Sequence, residues 1–426
     1  MKTLTRLLVP LIPLSLMGLM ACEDRCEIES TQYYYEPVYT SWEDLRASVK
    51  FEAPRPINQH GKIYFINDYV LINEPNVGIH FINNTDRENP KPVGFLSIPG
   101  NFDMAANQQY LYADSYTDLV IVDISNMRQP QEANRMQNVF TNYNSYGFYP
   151  DPEMGVVSEW REASFTQTMP SDCNGNTDWT RYHDRGIFVD YAMESSADAV
   201  SPSNPGMGGS MARFTIAHER LYTVDLSDLQ VVDLSNPLQP VVGQKTSLDW
   251  GVETIFPYQD KLFIGANNGM WIYDISSPDA PEYLSRFTHE TSCDPVVTDG
   301  QYAYVTLRSG TECNGFTNQL EVIDIVDPRN PERVAIYPMY NPHGLAVDGS
   351  SLYICDGDEG LKVYNKSDVM TIDQHLIQQY PDMFAYDVIA FDCHVMLIAD
   401  DGLHQYICQD DLLTLQYVST IPFTSL

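Results

Sequence analysis

Seven side chains stand at matching places along this chain of 426 residues, one in each of seven similar stretches: His60, Asp103, Arg213, Glu253, Asp294, His343 and Asp387. Each precedes, by a nearly constant interval, a short strand typified by Tyr110-Leu111-Tyr112-Ala113. If those strands surround a common axis, four carboxylates and two imidazoles converge on it. Such a set of oxygen and nitrogen ligands suits a divalent cation in a central channel, or would grip a basic group on a partner. The plainer reading leaves these groups solvated at a wet channel mouth. A register slip of one residue would turn any of them to the other face of its sheet.

Other chemistry is sparse. There is no G-x-S-x-G elbow and no H-E-x-x-H, so neither hydrolase signature is present. Asp356-Gly357-Asp358-Glu359-Gly360 gathers three carboxylates but lacks the long loop with a terminal Glu that calcium sites use, and tight-hairpin geometry accounts for it. No paired carboxylates are singled out for glycoside cleavage. No CxxC occurs and no Cys/His cluster has zinc spacing, so no cofactor is predicted beyond the channel cation.

The elements that must position these residues come from composition and repetition. With 24 basic and 58 acidic residues the formal charge is -34, which repels nucleic acid. Apolar residues make up 43%, enough for a buried core, and 28 Tyr with 17 Phe favour many short strands. Lys2 and Arg6 precede an uncharged run from Leu7 to Met20 that is too short to span a bilayer core of roughly 30 Å. Residues 1–21 therefore read as a secretory signal, 22–56 as a tether and 57–426 as the folded body.

One pattern repeats. Leu119-Val120-Ile121-Val122-Asp123-Ile124-Ser125-Asn126 recurs at 229–236, 270–277 and 320–327, with weaker copies ending at Asn83, Asn365 and Ile407. The spacing is about 41 residues, the size of four strands with their turns. Turn residues such as Asn267-Asn268-Gly269 and Asp400-Asp401-Gly402 separate the strands. The expectation is an all-β propeller of seven blades, each of four antiparallel strands. A long insertion follows the second blade at 134–212; its Gly155–Trp160 part reads as strand and its Gly- and Pro-rich remainder as a mobile loop, with an eighth blade there as the rival.

The literal Leu-Val-Ile-Val-Asp resembles the LVIVD-repeat family of bacterial β-propellers, and the likeness implies a scaffold of the cell envelope without bringing an activity. Leu19-Met20-Ala21-Cys22 resembles the lipobox of bacterial lipoproteins, which implies an acylated Cys22 as the new N-terminus. The acidic run after it resembles the export signal of surface lipoproteins of the Bacteroidetes group. That implies an outer-membrane lipoprotein exposed at the surface, with a periplasm-facing one as the alternative. Cys22 leaves seven other Cys, so at least one thiol is left over. Cys293 with Cys313 is the first candidate disulfide, and Cys393 with Cys408 the second.

These readings converge on a lipid-anchored, non-enzymatic binding module for a protein or glycan. The alternative is a surface or periplasmic enzyme acting on an extracellular polymer at the channel mouth. Tyr143, Tyr146, Phe148, Tyr149, Trp160 and Trp179, around the insertion, are candidate anchors for a partner or a sugar ring, or they pack the extra hairpin against the body.

Overall fold

The computed structural model describes residues 26–107, 109–140, 149–171, 207–210, 212–225, 227–288, 295–309, 317–409 and 412–424. They divide into two compact units. The smaller includes most of a two-stranded sheet, Cys26–Thr40 with Val156–Ser171. Within this unit Thr31 and Thr166 share a hydroxyl hydrogen bond of 3.0 Å, and the rings of Tyr34 and Phe165 lie 6.0 Å apart. Tyr33 and Tyr35 are exposed. The 156–171 part of the insertion is thus a strand, and its partner is the segment expected to be a tether rather than an eighth blade.

The larger unit is a seven-bladed β-propeller. Seven sheets follow one another in chain order, each a four-stranded antiparallel meander: 63–97, 104–136, 214–247, 252–287, 296–338, 345–380 and 385–422. The first blade gains an outer strand, Lys50–Glu52, and an inner one, Met207–Gly208. Second and third strands are buried on both faces, as in Leu229–Val232, because each sheet is covered by its two neighbours.

The repeat's residues have identifiable tasks. Asp123, Asp233, Asp274 and Asp324 end the third strands, and each accepts the backbone N–H two residues on at 2.7–2.9 Å, as Asn83 and Asn365 do at 2.9–3.0 Å. These Asx turns fix the exit to the outer strand. The next residue donates its N–H back to the blade's first hairpin, for example Ile124 to Gln109 O at 2.7 Å and Lys366 to Ser350 O at 2.9 Å. Three of those first hairpins turn on paired positive-φ residues, Asn67/Asp68, His218/Glu219 and Asp392/Cys393.

The other half of the motif joins blades. Tyr112 and Tyr222 are fully buried in second strands, and their hydroxyls donate to Pro237 O (3.5 Å) and Pro278 O (2.9 Å) in the following blades. The Tyr-Leu-Tyr strand and the Pro after the Asx turn are therefore two ends of one inter-blade contact.

The seventh copy, ending at Ile407, has no Asx cap. There Cys408 donates its N–H to Cys393 O at 3.0 Å, and the two residues are disulfide-bonded. Cys293, Cys313 and Cys22 lie outside the described residues. Cys355 is a fully buried cysteine on the second strand of blade 6.

Candidate functional site

Innermost strands carry the candidate residues, and their register defines a ring. Asp387 faces Ile398 and Thr254 faces Gly265 across the first hairpins. In other blades a second-strand N–H marks the same place: Asn73 donates to Lys62 O (2.8 Å), Val224 to Arg213 O (2.8 Å), Thr306 to Pro295 O (3.3 Å) and Cys355 to Gly344 O (2.9 Å). Asp103 holds it in blade 2, directly before Met104, which faces Ala113. The ring is thus Lys62, Asp103, Arg213, Thr254, Pro295, Gly344 and Asp387.

Of the seven residues singled out in the sequence, Asp103, Arg213 and Asp387 occupy this register. His60, Glu253 and His343 fall one or two residues ahead of it, and Asp294 lies outside the described residues. Every ring position stands seven residues before the first residue of its blade's second strand, and the irregularities between Val252 and Thr254 and between Ala385 and Asp387 lie ahead of the ring and do not displace it. Choosing polar residues anywhere from seven to nine positions ahead of that strand selects His60, nine before Tyr69, over Lys62, seven before it.

Two of the ring charges pair with each other. Lys62 Nζ lies 3.2 Å from Asp103 Oδ2, the carboxylate buried and the lysine partly so. Asp103 also accepts the N–H of Met104 at 2.7 Å and that of Arg213. Asp387 is fully buried, and neither oxygen has a donor in good hydrogen-bonding geometry. Burial pushes its carboxyl well above the usual range, against the Val388 N–H, the Lys62 ammonium and the Ser210 hydroxyl. Gly344 is required beside it, since a Cβ there would collide with Asp387 Oδ1. Among the described residues no group of three or more His, Cys, Asp or Glu is arranged to hold a metal ion.

The end of the insertion crosses this ring. Met207 and Gly208 pair with Phe65 and Tyr64 of blade 1. Ser210 Oγ accepts the N–H of Leu345 in blade 6 (2.9 Å), and Ala212 O accepts that of Ile255 in blade 4 (2.7 Å). With the Arg213–Asp103 bond, one short segment is tied to the innermost strands of four blades. The stretch 207–210, expected to be loop, instead pairs with the innermost strand of blade 1 and reaches blade 6, a plug joining innermost strands.

Outside the ring lies a rim of aromatic groups on blades 6, 7 and 1. His60 and His343 flank Tyr386, at 4.6 and 5.8 Å between ring centroids, with Phe384 4.6 Å from Tyr386 and Phe423 5.3 Å from His60. Burial lowers the His60 imidazole to about 4, opposed by Asp400, and the His343 imidazole to about 3, assisted by Arg308. Both rings are therefore neutral at physiological pH. His343 Nε2 is buried without a hydrogen-bond partner.

Asp356 is structural: it is fully buried and accepts from Tyr340 N, Asn341 N and Lys362 Nζ. Tyr149 is exposed and Trp160 half-buried. Tyr143, Tyr146, Phe148 and Trp179 lie outside the described residues.

No curated protein matches the chain in sequence. Among solved structures it is similar to a periplasmic gluconolactonase of Pseudomonas aeruginosa, PpgL, with TM-score 0.54 and 10% identity over 86% of this chain and 97% of that one. It is also similar to a 6-phosphogluconolactonase, so described provisionally, of Bacteroides uniformis, with TM-score 0.50 and 11% identity over 86% and 97%. The dihydro-heme d1 dehydrogenase NirN gives TM-score 0.50 and 11% identity over 92% and 81%. At such identities the likeness is one of fold alone. Residues 102–138 match the LVIVD repeat model, and they are the second blade. The chain thus carries an LVIVD repeat within a seven-bladed β-propeller.

Proposed function

We propose that the chain is a lipid-anchored propeller of the cell envelope, held at the outer membrane through Cys22 with its body at the surface, that binds a protein or glycan without chemical turnover. The observation that supports this reading is the plug: Ser210 accepts from Leu345 of blade 6 and the Arg213 N–H donates to Asp103 of blade 2, so a ring carboxylate is taken up by the protein's own segment. What remains for a partner is the rim, where Tyr386, Phe384 and His60 are half-buried, the kind of aromatic surface that anchors interfaces. The formal charge of -34 disfavours an anionic partner.

The competing reading, an envelope enzyme acting on an extracellular polymer at the mouth, draws on the unpartnered His343 Nε2 and the buried Asp387 carboxyl. Crosslinking in intact cells followed by mass spectrometry separates the two. A partner captured by wild type and lost in Tyr386→Ala, with no polymer consumed, is the expected result. Polymer cleavage that disappears in His343→Gln would overturn it. Release of Cys22→Ser into the soluble fraction is expected, and unchanged membrane retention would remove the anchor from the reading.

A further inference from the structure

The residue after each Asx cap is a buried aliphatic in four blades, Ile124, Leu234, Ile275 and Ile325, all at 4% exposure or less. Three blades depart from this. Asn84 pairs with Gln405 across the ring closure, and Cys408 forms the disulfide. The third departure is Lys366 in blade 6, which places an ammonium where the repeat places Ile, yet is only 8% exposed.

Its surroundings also break the pattern. At the seams after blades 2 and 3 a buried Tyr hydroxyl reaches a Pro carbonyl of the next blade; blade 6 has Val369-Met370 in that region instead of Pro. The corresponding Tyr304 turns to Asp299 of its own blade (3.0 Å), and Lys366 reaches across from blade 6 to the same carboxylate (2.6 Å). Beside this triad a cavity of about 570 Å³ opens between blades 5 and 6, lined among others by Gln301, Tyr302, Ser350 and Ser367. It adjoins first hairpins and Asx turns, and so lies on the face opposite the aromatic rim. Departures from an otherwise consistent pattern are expected at functional or strained places, and here the departure coincides with a cavity.

The lining selects a ligand class. Hydroxyls, an amide and an ammonium supply donors and acceptors together, which suits a ligand whose groups do both. The ammonium is already neutralised by Asp299, and Asp368 adds a carboxylate to the wall, so an anion has no net positive field to enter. A polar wall disfavours an apolar ligand, and the volume falls within the range of about 300–1,000 Å³ typical of small-molecule sites. We propose that this seam binds a small neutral polyhydroxylated ligand, a mono- or disaccharide, independently of the channel mouth.

The test is saturation-transfer NMR and calorimetry on the full mature chain with glucose, galactose, mannose, xylose, maltose and cellobiose, and with acetate and phosphate as anionic probes. Binding of at least one sugar is expected, weakened at least tenfold in Gln301→Ala and in Ser367→Ala and unchanged in Val241→Ala on an exposed outer strand. The pair Lys366→Ile with Asp299→Asn, which restores the repeat's aliphatic residue without stranding a charge, is expected to fold and to lose binding. Sugar binding unaffected by all three lining variants would overturn the site. Binding of acetate or phosphate alone, or of none of the probes, would overturn the ligand class.

Discussion

Asn84 and Gln405, 321 residues apart, form a reciprocal amide pair: each side-chain nitrogen donates to the other's oxygen at 2.8 Å. The pair joins blade 1 to blade 7, and Ser419 Oγ adds a bond to Arg87 O at 2.6 Å. Both blades take their four meander strands from their own end of the chain, so the ring is closed without a strand shared between the termini, by these side chains together with a backbone bond from Thr424 N–H to Ile57 O at 2.8 Å.

That closure makes Gln405 a sensitive position. It is fully buried and also meets His394 Nε2 at 3.0 Å and Ser419 Oγ at 3.1 Å. Gln405→Leu leaves Asn84 and His394 buried with unsatisfied groups, for an expected loss of about 3 kcal/mol in urea unfolding. The double variant with Asn84→Leu should lose less than the sum of the singles, because both partners are removed together. Equal stability of Gln405→Leu and wild type would show that closure rests elsewhere.

Much of this was legible in the sequence. The Asp that ends each strong copy is there for an Asx turn, and because Asn can make the same turn, Asn83 and Asn365 still marked their blades. The ring was only half legible, since an interval set at seven to nine residues lets a conspicuous polar residue one or two places ahead stand in for the true position, as His60 does for Lys62 and Glu253 for Thr254. The plug was not legible at all. Met207-Gly208-Gly209-Ser210 has no strand periodicity, and its structure comes from partners in four blades distant in sequence.

The Cys393–Cys408 bond, with a sequence separation of 15, ties the first hairpin of blade 7 to the exit of its third strand, where other blades use an Asx cap. Chain-entropy arguments assign a loop of this length about 3 kcal/mol. Cys393→Ala/Cys408→Ala is expected to lose about that amount, and a non-reducing digest of wild type should contain the linked peptides. Two alkylatable thiols at these positions under oxidising conditions would refute the assignment.

Asp114 supplies a pH test. Its Oδ1 accepts from Asn101 Nδ2 (2.8 Å), Phe102 N (2.8 Å) and Asp103 N (3.0 Å), yet burial, helped by the neighbouring Asp103 charge, raises its carboxyl to about 7. The folded state therefore holds this proton more tightly than the unfolded chain. The stability it contributes is complete below the unfolded value of 3.8 and is lost as pH rises to about 7. Asn at this position keeps the accepting oxygen and carries no charge to bury. Asp114→Asn should thus gain on wild type across that window, by up to about 1.4 kcal/mol per pH unit. A difference that does not vary with pH would show that the group titrates normally.

The plug gives the last prediction. Asp103 faces Lys62 and accepts the Arg213 N–H, so it ties the end of 207–213 to blade 2 while balancing the ring's ammonium. Asp103→Leu removes both roles in a buried setting and should cost about 3–5 kcal/mol. Asp103→Asn keeps one accepting oxygen and should fold, which separates the tie from global stability. In that variant amide exchange is expected to quicken at Arg213 and its neighbours, while the strands 229–232 and 320–323 keep their protection. Exchange that stays slow at 212–213 would mean that Ser210 with Leu345, and Ala212 with Ile255, hold the segment without Asp103.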